Sequence, residues 1–149
     1  MSHPRPDQEL VLENFLPYRL NRAAEAISQE FSRLYRHQYD LTRPEWRCLA
    51  TVGQYRTVTA TAVARHSAMH KTKVSRAVAA LEKRRWLLRT EDEGDRRIEH
   101  LRLTASGLAA YNELSAVAQA YQERLLKELR GGGADLQKGL AAIELRLKT

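Results

Sequence analysis

With 149 residues, 43% of them hydrophobic and 29% charged, the chain is long enough for a core without staples and too apolar for a disordered segment. A formal net charge of +7 and a pI of about 9.9 favour a polyanionic partner, although basic surfaces also serve solubility alone. Cys48, the single cysteine, excludes an intrachain disulfide and a thiolate zinc site, and the absence of a bilayer-length apolar run or a signal-peptide core predicts a cytoplasmic protein with no membrane partner.

Residues 1–8 carry two of the four prolines and read as a loose arm. From about Gln8 to Gln38 the spacing of Leu20, Ala23 or Ala24, Ile27, Phe31 and Leu34 predicts a long amphipathic helix. Pro17 sets off whatever precedes it as a separate turn or a kinked lead-in. Tyr39 to Pro44 is a connector. A second helix follows over Glu45–Tyr55, with Trp46, Leu49, Ala50 and Val52 on its buried side.

Thr57–Thr59 is β-branched enough for a very short strand, and Thr59 or Thr61 is placed to cap a helix over Ala60–His66. A turn at Ser67–His70 leads into a helix from Lys71 to about Arg84. Its buried stripe is Val74, Ala77 or Val78, and Leu81, which turns Thr72, Lys73, Ser75, Arg76, Ala79 and Lys83 outward. Small hydroxyls and long cations on one exposed helix face suit the edges and phosphates of a DNA groove.

Trp86–Thr90 and Arg97–Thr104 read as the strands of a hairpin, separated by the charged, turn-rich Glu91–Arg96. Between Thr57 and Thr104 there are eleven Lys and Arg against six Asp and Glu, a net +5. Most of the chain's excess positive charge is therefore in this central third, as expected of a nucleic-acid face. Thr104 caps a long helix to about Leu129, with Leu114, Val117, Tyr121, Leu125 and Leu129 along one side. Gly131-Gly132-Gly133 is expected to end it, and a last helix runs from Ala134 to Leu147.

The order of elements, the stretch Val63–Leu88, the Asp95-Arg96-Arg97 hairpin and the following Leu103-Thr104-Ala105-Ser106-Gly107 resemble the MarR family of bacterial winged-helix regulators over nearly the whole chain. The resemblance implies a mainly α fold with a small β-hairpin wing: a winged helix-turn-helix flanked by N- and C-terminal dimerisation helices. The expected divisions are an arm and dimerisation helix (1–38), a DNA-binding region (39–104) and C-terminal dimerisation helices (105–149), together one compact domain. It further implies a homodimer on a pseudo-palindromic operator of double-stranded DNA. The recognition helix enters the major groove and a wing arginine enters the minor groove.

Carried over residue by residue, the DNA-binding positions are His70, Lys71, Thr72, Lys73, Ser75 and Arg76 on the helix. In the wing they are Asp95, Arg96 and Arg97, with the carboxylate holding Arg97 extended. Many family members are repressors released by aromatic ligands. Tyr18, Arg19, Tyr39, Arg43, Trp46 and Arg47 supply rings and cations suited to a small aromatic carboxylate effector. Ala68 and Arg85 depart from the family, standing where glycine is frequent; a positive φ at either costs roughly 1 kcal/mol.

Two other readings compete. Cys48 beside Arg47 is a candidate peroxide-sensing thiol if the cation lowers its pKa, and the basic face could instead meet an acidic protein. His66, His70 and His100 are too scattered for a metal site, and no phosphate loop, nucleophile elbow or catalytic carboxylate pair is visible. Neither an enzyme nor a cofactor is expected.

Overall fold

The computed structural model describes residues 9–148, so the expected arm at 1–8 lies outside the described residues. These residues divide after Asp40 into two compact units. In the first, a 3-10 turn, Leu12–Asn14, precedes helix α1, Leu16–Tyr39. Pro17 lies in the first turn of α1, where its missing amide would have had no helical partner anyway. It therefore starts the helix, and Leu12–Asn14 is the separate turn expected ahead of Pro17. Leu20, Ile27, Phe31 and Leu34 share one face of α1, and the rings of Phe31 and Tyr35 meet edge-on with centroids 5.4 Å apart.

The second unit opens with α2, Arg43–Tyr55. The Glu45 amide donates to the Thr42 hydroxyl at 3.3 Å, while the Glu45 carboxylate accepts from the Thr42 amide at 3.1 Å and hydroxyl at 2.6 Å. This capping box moves the helix start two residues ahead of the expected Glu45. There follow β1 (Val58–Thr59), α3 (Ala60–Ser67), α4 (Lys71–Lys83), β2 (Leu87–Glu91), β3 (Glu99–Leu103), α5 (Ala105–Glu128) and α6 (Gly131–Leu147).

The strands form one antiparallel sheet in the order β1-β3-β2, with Leu101 opposite both Val58 and Arg89. Leu49 and Val52 of α2, Val63 of α3, Val74, Val78 and Leu81 of α4, Leu87 and Leu101 of the sheet, and Leu114 of α5 are each at most 2% exposed. One core therefore fixes the helix-turn-helix, the wing and the start of α5 to one another. This is a mainly helical winged helix-turn-helix.

Two expectations need correction. The third strand begins at Glu99 rather than Arg97, because Arg97 is held in the hairpin turn by hydrogen bonds to Asp95. The glycine triplet opens α6 rather than stopping α5: the break is taken by Arg130, at φ 54°, and no glycine has a positive φ. Gly133 instead permits close packing, since a Cβ there would lie 3.1 Å from both the carbonyl oxygen and the Cδ2 of Leu126 on α5.

Ala68, ending α3, is left-handed at φ 53°, ψ 38°, and Arg85 after α4 has φ 62°. An L side chain with a Cβ is strained there and glycine is not. Ala68→Gly is expected to stabilise the fold by about 1 kcal/mol, raising the thermal midpoint by roughly 2–4 °C. A midpoint that fell on this substitution would show that the turn is not strained.

Candidate nucleic-acid interface

The α3–α4 turn sets the start of α4. His70 is the N-cap, its Nδ1 accepting from the Thr72 amide at 3.3 Å. This holds the ring against the helix end. The 3.6-residue period then separates two faces. Val74, Ala77, Val78 and Leu81 are at most 3% exposed, whereas Lys71, Thr72, Lys73, Ser75 and Arg76 are all exposed. Lys71, Lys73 and Arg76 have no ion-pair partner among the described residues. The set expected to point outward, Thr72, Lys73, Ser75, Arg76, Ala79 and Lys83, is exposed throughout, because the buried stripe of the helix fixes its opposite side.

In the wing, the Asp92 carboxylate accepts from the amides of Gly94 at 3.0 Å and Asp95 at 3.1 Å, and its other oxygen lies 2.9 Å from His100 Nε2. Those hydrogen bonds, that of His100 foremost, hold the Asp92 carboxyl below the usual carboxylate range. The Asp92 amide donates to the Ile98 carbonyl at 2.9 Å, closing the turn. Asp95 then receives Arg97 three times: backbone amide at 3.0 Å, Nε at 3.1 Å and Nη2 at 3.1 Å. This fork lowers the Asp95 carboxyl pKa as well. The Arg97 side chain is nonetheless 90% exposed, so its remaining donors face solvent. Arg96 beside it is exposed too.

A tertiary link that sequence spacing does not reveal joins α4 to the wing. Arg89 of β2 lies 3.3 Å through Nε from Glu82 of α4, and 3.3 Å through Nη1 from Glu99 of β3. Only the Glu99 contact is aligned as a hydrogen bond, which leaves the buried Nε held by charge alone. The Leu-Thr-x-x-Gly segment is a second link. The Thr104 amide donates to the Trp86 carbonyl at 2.9 Å, and the Thr104 hydroxyl donates to the Arg85 carbonyl at 2.7 Å. The same hydroxyl accepts from the Gly107 amide at 3.1 Å as the cap of α5.

Of the candidate effector residues, Tyr18, Arg19 and Tyr39 lie on α1 in the first unit. The Arg22 guanidinium stands 5.8 Å from the centre of the Tyr18 ring. Arg43, Trp46 and Arg47 lie in the first turns of α2 in the second unit, half-buried, at a spacing that puts them on one face. The surroundings of Cys48 disfavour redox chemistry. Cys48 is fully buried, and burial first and the Glu45 carboxylate second push its thiol up to about 12. The thiolate needed for attack on peroxide is disfavoured, opposite to the effect foreseen from Arg47.

Among the described residues no helix is long and apolar enough to cross a membrane. The MarR family model matches residues 39–98. No curated protein sequence is a significant match. Among solved structures, a MarR family transcriptional regulator from Silicibacter pomeroyi DSS-3 is 30% identical, covering 95% of this chain and 100% of that one, with a TM-score of 0.81. NadR in complex with 4-hydroxyphenylacetate is 22% identical over 97% of each chain, at a TM-score of 0.72. The S. aureus MepR–DNA complex is 18% identical, covering 95% of this chain and 100% of that one, at 0.74. These last two establish a shared fold.

Proposed function

The chain belongs to the MarR family of DNA-binding transcriptional regulators, and we propose that it acts in the cytoplasm as a homodimeric repressor. Two copies read a pseudo-palindromic operator and leave it when a small aromatic anion binds. The observation that carries this reading is the row of unpaired cations on α4, Lys71, Lys73 and Arg76, in one rigid unit with the extended Arg97 of the wing. Cations without protein partners are free to replace the counterions of DNA phosphates, and the hydroxyls between them suit base edges.

A second copy is supported by α6. Leu136, Leu140 and Ile143, at helical spacing, are each 37–40% exposed, and Leu147 is 78% exposed. A single chain leaves that apolar row in water, and a two-fold partner covers it while doubling the DNA contacts. For release by a ligand, the support is that a protein of this fold binds 4-hydroxyphenylacetate. Arg43, Trp46 and Arg47 offer cations and a ring on one face of α2 for such a molecule.

The test is fluorescence anisotropy on duplexes tiled from the DNA beside the protein's own coding sequence, with and without a panel of aromatic carboxylates including 4-hydroxyphenylacetate. Selective binding that falls steeply with salt, and that one compound weakens, is the expected result. Selective binding that every compound leaves unchanged would remove the effector. Equal affinity for a scrambled duplex would remove operator recognition.

A further inference from the structure

A cleft of about 580 Å³ lies on the second unit, between the end of α2, the end of β3 and the first turns of α5. Its volume is in the range of small-molecule sites. Arg56 and Arg102 line it together with Gln54, Thr57 and Asn112, and no carboxylate or histidine does. Neither guanidinium has a hydrogen-bond or ion-pair partner among the described residues. Two such cations beside one concave surface repel each other, and a bound anion removes that repulsion. A singly charged anion leaves one of the two uncompensated, whereas a dianion balances both.

The backbone at Arg56 is a second, independent observation. Arg56 ends α2 at φ 67°, ψ −58°, and across it the Thr57 amide donates to the Tyr55 carbonyl at 2.8 Å. Those angles and that hydrogen bond make the uncommon, strained form of the γ-turn. Glycine adopts this conformation without strain, and an arginine holds it here instead. Such strain persists only where the surroundings impose it, and it clusters at ligand clamps. The turn sets two consecutive residues, Arg56 and Thr57, on the wall of the cleft. The walls are also fixed to each other. The Tyr111 ring lies so close over Gly53 that a Cβ there would sit 2.4 Å from it, so α5 is laid directly against the α2 backbone.

We propose that this cleft is a binding site for a phosphomonoester of a small polar molecule: Arg56 and Arg102 hold the phosphate, and Gln54, Thr57 and Asn112 hydrogen-bond its remaining oxygens and the hydroxylated body attached to it. A phosphomonoester carries about −1.5 to −2 charge at neutral pH and three strong acceptor oxygens, so it satisfies two planar guanidinium forks where a carboxylate satisfies one. The hydroxyl of Thr57 and the amides of Gln54 and Asn112 both donate and accept, which suits a body rich in hydroxyls. The site is separate from Arg43, Trp46 and Arg47, which stand in the first turns of α2, whereas this cleft is at its last turn. Its ligand differs in chemistry from the aromatic anion proposed above. Binding here does not depend on the regulator reading.

The probe is ribose 5-phosphate, titrated calorimetrically into the full-length protein at constant ionic strength, with ribose as the uncharged control and ribonate as the carboxylate control. Saturable binding of the phosphate is expected, weakened about tenfold or more by Arg56→Met or Arg102→Met, and about tenfold or more weaker for either control. Circular dichroism checks that both variants fold, and amide chemical-shift changes in the parent protein at Thr57 and Asn112 locate the probe without any substitution. No histidine or carboxylate lines the cleft, so the second ionisation of the phosphate, near pH ~6, is the step that titrates. Affinity should therefore rise between about pH 5 and about pH 7.5. Equal binding of ribonate, an affinity flat across that pH range, or no effect from either arginine variant would each overturn the proposal. So would an absence of binding by both ribose 5-phosphate and inorganic phosphate. Loss of duplex affinity in the two arginine variants of a protein that ignores ribose 5-phosphate would assign these cations to the DNA backbone, and would overturn it too. Ribose 5-phosphate bound in the cleft of a protein that ignores every duplex would uphold this site while removing the regulator reading.

Discussion

Gly107→Ala is expected to destabilise the fold by about 1–3 kcal/mol, lowering the thermal midpoint by roughly 2–12 °C. A Cβ at this position would lie 2.0 Å from the Trp86 carbonyl oxygen and 2.8 Å from its carbon. Backbone cannot swing aside as a side chain can. The Trp86 carbonyl accepts the Thr104 amide at 2.9 Å, and the Trp86 amide donates to Leu81 at 3.0 Å. Relieving the clash therefore breaks at least one hydrogen bond at about 1 kcal/mol, in addition to overpacking strain of about 1–3 kcal/mol. The better helix propensity of alanine returns at most about 1 kcal/mol, so the net sign is destabilising.

Gly139 supplies the comparison within the same protein. It lies inside α6 with nothing within 4 Å of the added Cβ, so Gly139→Ala should stabilise by about 0.5–1 kcal/mol. Urea unfolding of both variants separates clash from propensity. Matching midpoints for Gly107→Ala and the parent would mean that α5 does not approach Trp86 this closely.

That contact also shows where sequence reading stops. Leu103-Thr104-Ala105-Ser106-Gly107 was legible as a strand-to-helix junction, because a threonine before a helical run is a cap. The reason for Gly107 was not legible, because the atom it avoids belongs to Trp86, twenty-one positions earlier. The two faces of α4 were legible because burial repeats with the helix period, and Val74, Ala77, Val78 and Leu81 keep it. The glycine triplet misled because its composition signals a break, whereas Arg130 takes the left-handed turn and Gly133 serves packing. Arg56, Arg102 and Tyr111 share a cleft but no local pattern, so only the fold brings them together. For Cys48 the sequence shows Arg47 as the neighbouring charge, whereas the fold adds burial and the carboxylate of Glu45, one helical turn back, both of which raise its pKa.

Arg97→Ala is expected to weaken operator binding roughly ten- to hundredfold, and to reduce the salt slope by about one per wing, while moving the thermal midpoint by no more than ~2 °C. The asymmetry follows from exposure. The Arg97 side chain is 90% exposed, so its pairing with Asp95 contributes little to folding. What the fork does is orient. With Nε and Nη2 both on Asp95 at 3.1 Å, the guanidinium is directed rather than free to rotate. Asp95→Ala discriminates between orientation and plain charge. Coulomb attraction alone predicts tighter DNA binding once a negative charge is removed from the wing, whereas orientation predicts weaker binding. Tighter binding by Asp95→Ala would remove the positioning role of the carboxylate. The pH dependence has a definite sign as well. The Asp95 carboxyl is held below its ordinary range by Arg97, so the fork is intact above that range and is lost only as pH falls through the lowered value. Between pH 7 and pH 5 the wing should therefore hold its geometry. On the proposed reading Arg76→Ala should match Arg97→Ala in affinity loss, because Arg76 is an exposed cation one helical turn along the solvent face of α4 from Thr72.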